Sequence, residues 1–133
     1  MARTFAESTE HDTIVNLAAS LVGGKYEVYT NPGGEKNRWI ACKDRKHYPD
    51  IMLVPSGEKN STIIVEVETE ETVTDDHAEE QWKPYSKLDR IFYLLVPADL
   101  LDEAKRICRQ KAIVAKFGKY WHTGADWKIQ YGV

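Results

Sequence analysis

Pro49-Asp50-Ile51-Met52-Leu53-Val54 is followed, across a polar connection that includes Ser56-Gly57-Glu58-Lys59-Asn60, by Thr62-Ile63-Ile64-Val65-Glu66-Val67-Glu68. Two apolar runs of strand length joined by turn-forming residues predict two adjacent strands. An acid opens the first run and two acids close the second. A buried strand has no structural use for an unpaired acid, because a desolvated carboxylate must be neutralised, paired or bound to a metal. The two-residue repeat of a strand puts Ile64, Glu66 and Glu68 on one face and Ile63, Val65 and Val67 on the other. Three carboxylates are thereby offered where two strands can present them to a divalent cation.

Upstream, Ser8 or Thr9 is expected to cap a helix running to about Val22, with Ile14, Val15, Leu17, Ala18 and Leu21 as its apolar stripe and Gly23-Gly24 ending it. A strand is expected from Tyr26 to Thr30. The turn residues Asn31-Pro32-Gly33-Gly34 then lead to an extended stretch from Arg38 to Cys42. Downstream, Asp75 or Asp76 starts a helix through Leu88 in which Pro84 imposes a kink or confines the regular part to one side. Ile91 to Val96 reads as a short buried strand, and Pro97 to Lys111 carries a helical stripe of Leu100, Leu101, Ala104 and Ile107. Ile113 to Phe117 and Trp127 to Tyr131 are extended, with His122-Thr123-Gly124-Ala125-Asp126 as a hairpin turn. This order implies a mixed α/β sheet covered by helices.

A length of 133 residues with 42% hydrophobic content suits one domain spanning residues 1–133. No apolar run reaches bilayer length and Met1-Ala2-Arg3-Thr4-Phe5 lacks a signal-peptide segment, so a cytoplasmic location and no membrane partner are expected. Cys42 and Cys108 lack metal or disulfide spacing and read as reduced thiols, while His11, His47, His77 and His122 are scattered. The net charge is -3, yet residues 66–80 hold eight acids and no lysine or arginine. Without them the body is mildly basic, as a metal site within a phosphate-binding surface requires. Glu70, Glu71, Asp75 and Asp76 read as a solvated loop and helix start. Tyr120, Trp121, Trp127 and Tyr131 read as core or dimer packing, the terminal hairpin covering a sheet edge.

Residues 8–97 resemble the PD-(D/E)xK nuclease superfamily. Pro49-Asp50 is similar to its PD, Glu66-Val67-Glu68 to its (D/E)xK, Glu10 to the helix acid of Holliday-junction resolvases, and Gln81-Trp82-Lys83-Pro84-Tyr85 to the Q-x-x-x-Y element of RecB-like nucleases. The four elements stand in the family's order. The resemblance implies a restriction-endonuclease-like αβββαβ core, here with a C-terminal helix and strand extension. For Glu10 the alternative is a helix-start carboxylate complementing the dipole, and for Gln81 and Tyr85 it is packing of the helix on the sheet.

Glu68 departs from the family, standing where its lysine would be. The resemblance implies two accounts. In the active one the protein is a Mg²⁺- or Mn²⁺-dependent deoxyribonuclease, a repair, junction-resolving or restriction-like phosphodiester hydrolase, with Asp50, Glu66 and the Val67 carbonyl as ligands. Glu68 is then general base or extra ligand, its added charge favouring two ions over one. Gln81 orients water or phosphate, and Tyr85, Lys83 and Lys87 contact the DNA backbone. Lys83 and Lys87 are either compensating cations or ordinary surface lysines. In the other account the fold is a catalytically inactive module that binds nucleic acid or a protein partner. DNA and a homodimeric partner are what the family resemblance implies.

Overall fold

The computed structural model describes residues 5–31, 39–42, 45–55, 62–88 and 90–133, the side chains of Phe5 and Cys42 excepted. The expected turn at Pro32-Gly33-Gly34 and the connection Ser56–Asn60 lie outside these residues. A six-stranded mixed sheet runs in the order β1 (Tyr26–Thr30), β4 (Ile51–Pro55), β5 (Ile63–Val67), β6 (Ile91–Pro97), β7 (Lys116–His122) and β8 (Trp127–Tyr131). β1, β4 and β5 pair antiparallel, β5–β6 and β6–β7 parallel, and β7–β8 antiparallel. A separate two-stranded hairpin joins β2 (Ile40–Cys42) to β3 (Arg45–His47).

Strand alternation divides the core in two. On one face Ile51, Val65, Val67, Leu95 and Tyr120 meet Ile14, Val15 and Ala18 of helix α1 (Phe5–Ser20). On the other, Ile64, Phe92, Leu94 and Val96 meet Trp82, Tyr85, Ala104 and Ile107. These come from the helical segment after β5 and from α4 (Leu101–Lys111), which a 3₁₀ turn at Ala98–Leu100 introduces. The chain is therefore a mixed α/β structure with helices on both faces of the sheet. Among the described residues no helix is long and apolar enough to cross a membrane.

Several elements differ from expectation. Helix α1 begins at Phe5, so Ser8 and Thr9 lie inside it, and it stops at Ser20; Leu21, expected on the stripe, falls past the helix and is 61% exposed. The buried stripe is instead His11, Ile14, Val15 and Ala18, the i, i+3, i+4, i+7 set. The segment from Asp75 is three short pieces: α2 (Asp75–His77), a π turn (Ala78–Trp82) and α3 (Lys83–Ser86). Thr74 caps it, its hydroxyl accepting from the His77 N–H at 3.2 Å. Pro84 sits in the first turn of α3, where its missing N–H leaves no helical bond unmade; the wide π turn absorbs the misfit.

β3 was not expected, since Arg45-Lys46-His47 shows no apolar alternation. β7 begins at Lys116 rather than Ile113, because α4 ends on Ala112 in the left-handed region (φ 56°) and Ile113 donates back to the Cys108 carbonyl at 2.9 Å. His122 belongs to β7, and the turn is closed by the Thr123 N–H on the Asp126 carbonyl at 2.9 Å. Of the aromatic tail, Tyr120 is core, whereas Trp121 and Tyr131 are exposed. Cys108 is a buried free thiol whose pKa burial pushes up to about 11.

Candidate metal centre

Asp50 sits at the bend before β4, Glu66 lies in β5, and Glu68 follows it. The antiparallel register that sets Ile51 opposite Val65 brings the acid-bearing ends of the two strands together. One carboxylate oxygen each from Asp50, Glu66 and Glu68 lies within 4.8 Å of the others. Glu66 and Glu68 are 7% and 1% exposed. The bend is held by Asn31, which donates its side-chain amide to the Pro49 carbonyl (2.6 Å) and its backbone N–H to the Asp50 carbonyl (3.1 Å). Asp50 is tied to β5 as well. Its Oδ2 accepts the Val67 N–H at 2.8 Å, and its own N–H is 3.4 Å from Glu66 Oε2. Glu68 is fixed by its N–H on the Leu95 carbonyl (2.9 Å) and by the Tyr120 hydroxyl on its own carbonyl (2.7 Å).

Two histidines that look scattered in the sequence flank the acids. His11 Nε2 lies 3.0 Å from Asp50 Oδ1, with Nδ1 3.0 Å from Asp12 Oδ1. His77 Nε2 is 2.9 Å from Glu68 Oε2 but off the direction a hydrogen bond needs, so that buried carboxylate oxygen carries no hydrogen bond. His11 falls on the buried stripe of α1, and its presence there is the one sequence signal that distinguishes it. For His77 no signal in the sequence points to Glu68. Among the described residues no lysine or arginine pairs with the three acids.

Burial would raise the Asp50 pKa, but the His11 contact, the sharing with Glu66 and the Val67 N–H outweigh it, and Asp50 titrates below the usual range. Glu66 goes the other way. Burial first, then the charges of Asp50 and Glu68, lift it well above the ordinary value against an opposing hydrogen bond from Tyr85. Without a cation the two carboxyls are thus pushed apart, Asp50 toward the ionised form and Glu66 toward the protonated one. Three clustered acids, an oxygen without a hydrogen bond and no neutralising ammonium or guanidinium fit a cation. The three acids are thus able to bind a metal ion, while His11 and His77 turn their Nε2 atoms to the carboxylates of Asp50 and Glu68.

The other sequence-derived candidates stand apart from the triad. Glu10 receives the Tyr120 hydroxyl at 3.0 Å and lines a separate cleft with Glu7, Glu70 and Trp127; burial raises its pKa. From α1 it is the next residue, His11, that reaches the acids. Gln81 touches none of the three and lines a second cleft with Lys83 and Lys87. Lys83 pairs with Glu79 at 3.4 Å and Lys87 is exposed, so neither supplies a cation to the triad. Tyr85 is buried and bonded to Glu66. Val67 gives its N–H to Asp50. Comparison of the chain with protein-family models, curated proteins and solved structures gives no match.

Proposed function

We propose that the protein is a metal-dependent nuclease of the restriction-endonuclease-like PD-(D/E)xK type, hydrolysing DNA phosphodiester bonds. The observation that carries this reading is the convergence of Asp50, Glu66 and Glu68 within 4.8 Å from two paired strands whose ends are otherwise apolar. Asp50, Glu66 and Glu68 would hold the ion, and an all-oxygen set of this kind suits Mg²⁺ or Mn²⁺. When bound, such an ion supplies Lewis-acid polarisation of a phosphoryl oxygen and a lowered pKa for an attacking water.

The chain's own residues do the rest. His11 and the Val67 N–H hold Asp50 ionised and aimed, and Tyr85 orients Glu66. Glu68, buried and held through its backbone by Leu95 and Tyr120, has two carboxylate oxygens, so one would hold the ion while the other accepts the proton of the attacking water as general base. The absence of a lysine or arginine on the triad, among the described residues, favours a second reading, a metal-holding fold that binds nucleic acid without cutting it. Incubation with branched, single-stranded and duplex DNA in Mn²⁺ separates the two. Cleavage that Asp50→Asn removes supports the nuclease. Mn²⁺ binding by calorimetry with no cleavage of any substrate supports the second reading, and no metal binding at all overturns both.

A further inference from the structure

The β2–β3 hairpin stands over the helical segment on the face that carries the acids, and its inner side is defined by its register. Ile40 is paired with His47, so Ile40, His47 and Arg45, two residues before His47, share one face, with Lys46 on the other. Ile40 packs against the core cluster of Trp82 and Tyr85. The His47 ring meets the Tyr85 ring edge-on, centroids 5.6 Å apart at 70°. Between hairpin and helical segment lies a cleft of about 520 Å³, with Arg45 and His47 on one wall and Gln81, Lys83 and Lys87 on the other.

We infer that this cleft holds a single nucleic-acid strand by its phosphates, with Arg45 and Lys87 as the contacts. The proposal rests on the nuclease reading and names its substrate form. Charge supports it. Glu79 on the cleft wall is covered by two ammonium groups, Lys83 at 3.4 Å and Lys111 at 3.5 Å. Arg45 and Lys87 form no ion pair among the described residues, so two cations face the cleft against one uncovered acid, Glu80. A guanidinium and an ammonium held in this way are suited to phosphate oxygens.

Continuity supports it too. The two sites are neighbours through the core: buried Tyr85 meets the cleft-lining His47 ring on one side and is hydrogen-bonded to Glu66 on the other. Size selects the strand. A cleft of this volume, roofed by a hairpin, admits a nucleotide or two of one chain, whereas a duplex presents a groove about 12 Å wide to an open surface. The His47 imidazole, kept neutral by burial and by Arg45, offers a flat uncharged ring to a base.

The test is fluorescence anisotropy with a labelled oligo(dT) of roughly 15 nucleotides, in Ca²⁺ so that oxygen ligands are engaged, with recovery of intact oligonucleotide as a control. Arg45 and Lys87 are exposed, so Arg45→Ala and Lys87→Ala leave the core untouched. Each is expected to weaken binding roughly tenfold, as loss of a charged hydrogen bond does. The double variant is expected to reduce the slope of log K against log salt by about 1.4, two single-strand phosphate contacts. A duplex of the same length is expected to bind at least tenfold more weakly.

Unchanged affinity in the double variant, equal or tighter duplex binding, or displacement by inorganic phosphate or a polyglutamate peptide as effective as by unlabelled oligonucleotide would each overturn the proposal. Calorimetry with Mn²⁺ keeps it apart from the reading beneath it. Strand binding that depends on Arg45 and Lys87 without metal binding or cleavage leaves the cleft standing and the nuclease fallen. Cleavage with strand affinity indifferent to both residues does the reverse.

Discussion

Glu66→Gln tests the triad most directly, because it keeps the shape of the carboxyl whose pKa burial and its neighbours raise, while removing its ability to ionise. At the largest separation within the cluster, 4.8 Å, an ionised Glu66 is opposed by about 3.5 kcal/mol for each neighbouring carboxylate at an effective dielectric of roughly 20. That repulsion, added to burial, is why Glu66 keeps its proton well above the ordinary range. The sign of the pH dependence follows. Above the unfolded pKa the native state binds the Glu66 proton and the unfolded state does not, so this contribution to stability falls as pH rises until the folded pKa is passed.

Thermal unfolding followed by circular dichroism in chelator should therefore show the wild type losing stability relative to Glu66→Gln as pH is raised, with little difference between them at low pH. Added metal should reverse the order. At 100 times its dissociation constant a cation stabilises the wild type by about 2.7 kcal/mol, roughly 8–10 °C for a chain of this size. The gain should grow with pH as the competing proton is removed, and Glu66→Gln should lose most of it. Wild-type stability that rises with pH relative to the variant in chelator, or a metal-induced shift retained in full by Glu66→Gln, would refute the reasoning.

Glu68→Gln is expected to abolish cleavage, and Glu68→Lys, which restores the family's commoner triplet, to fail as well because the surroundings are arranged for an acid; full activity of Glu68→Gln on any DNA substrate would remove the general-base role. Asn31→Ala deletes the amide that holds the Pro49 carbonyl in a buried site and should cost about 1–3 kcal/mol of stability. It should also weaken Mn²⁺ binding measured by calorimetry, since the bend carrying Asp50 is released; wild-type metal affinity would show that β5 alone positions the acid. Gly118→Val would put a Cβ 2.9 Å from the Tyr131 ring and 3.0 Å from a Leu95 methyl. The overpacking should lower stability by about 1–3 kcal/mol, and an unchanged melting temperature would show that Tyr131, at the exposed edge, simply moves aside.

Local periodicity was enough to read much of the sheet. Tyr26–Thr30 is a strand with the expected bounds, and the alternation from Ile63 to Glu68 correctly separates Ile64 and Glu66 from Val65 and Val67, because side-chain direction along a strand depends only on the next residue. The same alternation put Glu66 and Glu68 on one side, and the register of β4 with β5 placed Asp50 beside them. Other features depend on how layers meet. His11 reaches Asp50 across 39 positions because α1 lies over one face of the sheet, and the charged β3 forms only because its partner β2 is anchored by Ile40 on the core. Tyr120 holds Glu68 and Glu10 from 52 and 110 residues away. Composition and spacing report which groups a chain owns and which face of its own element each occupies. Which of them stand 3 Å apart is decided by the docking of elements distant in sequence, and that docking is where the acids acquired their histidines and the cleft its arginine.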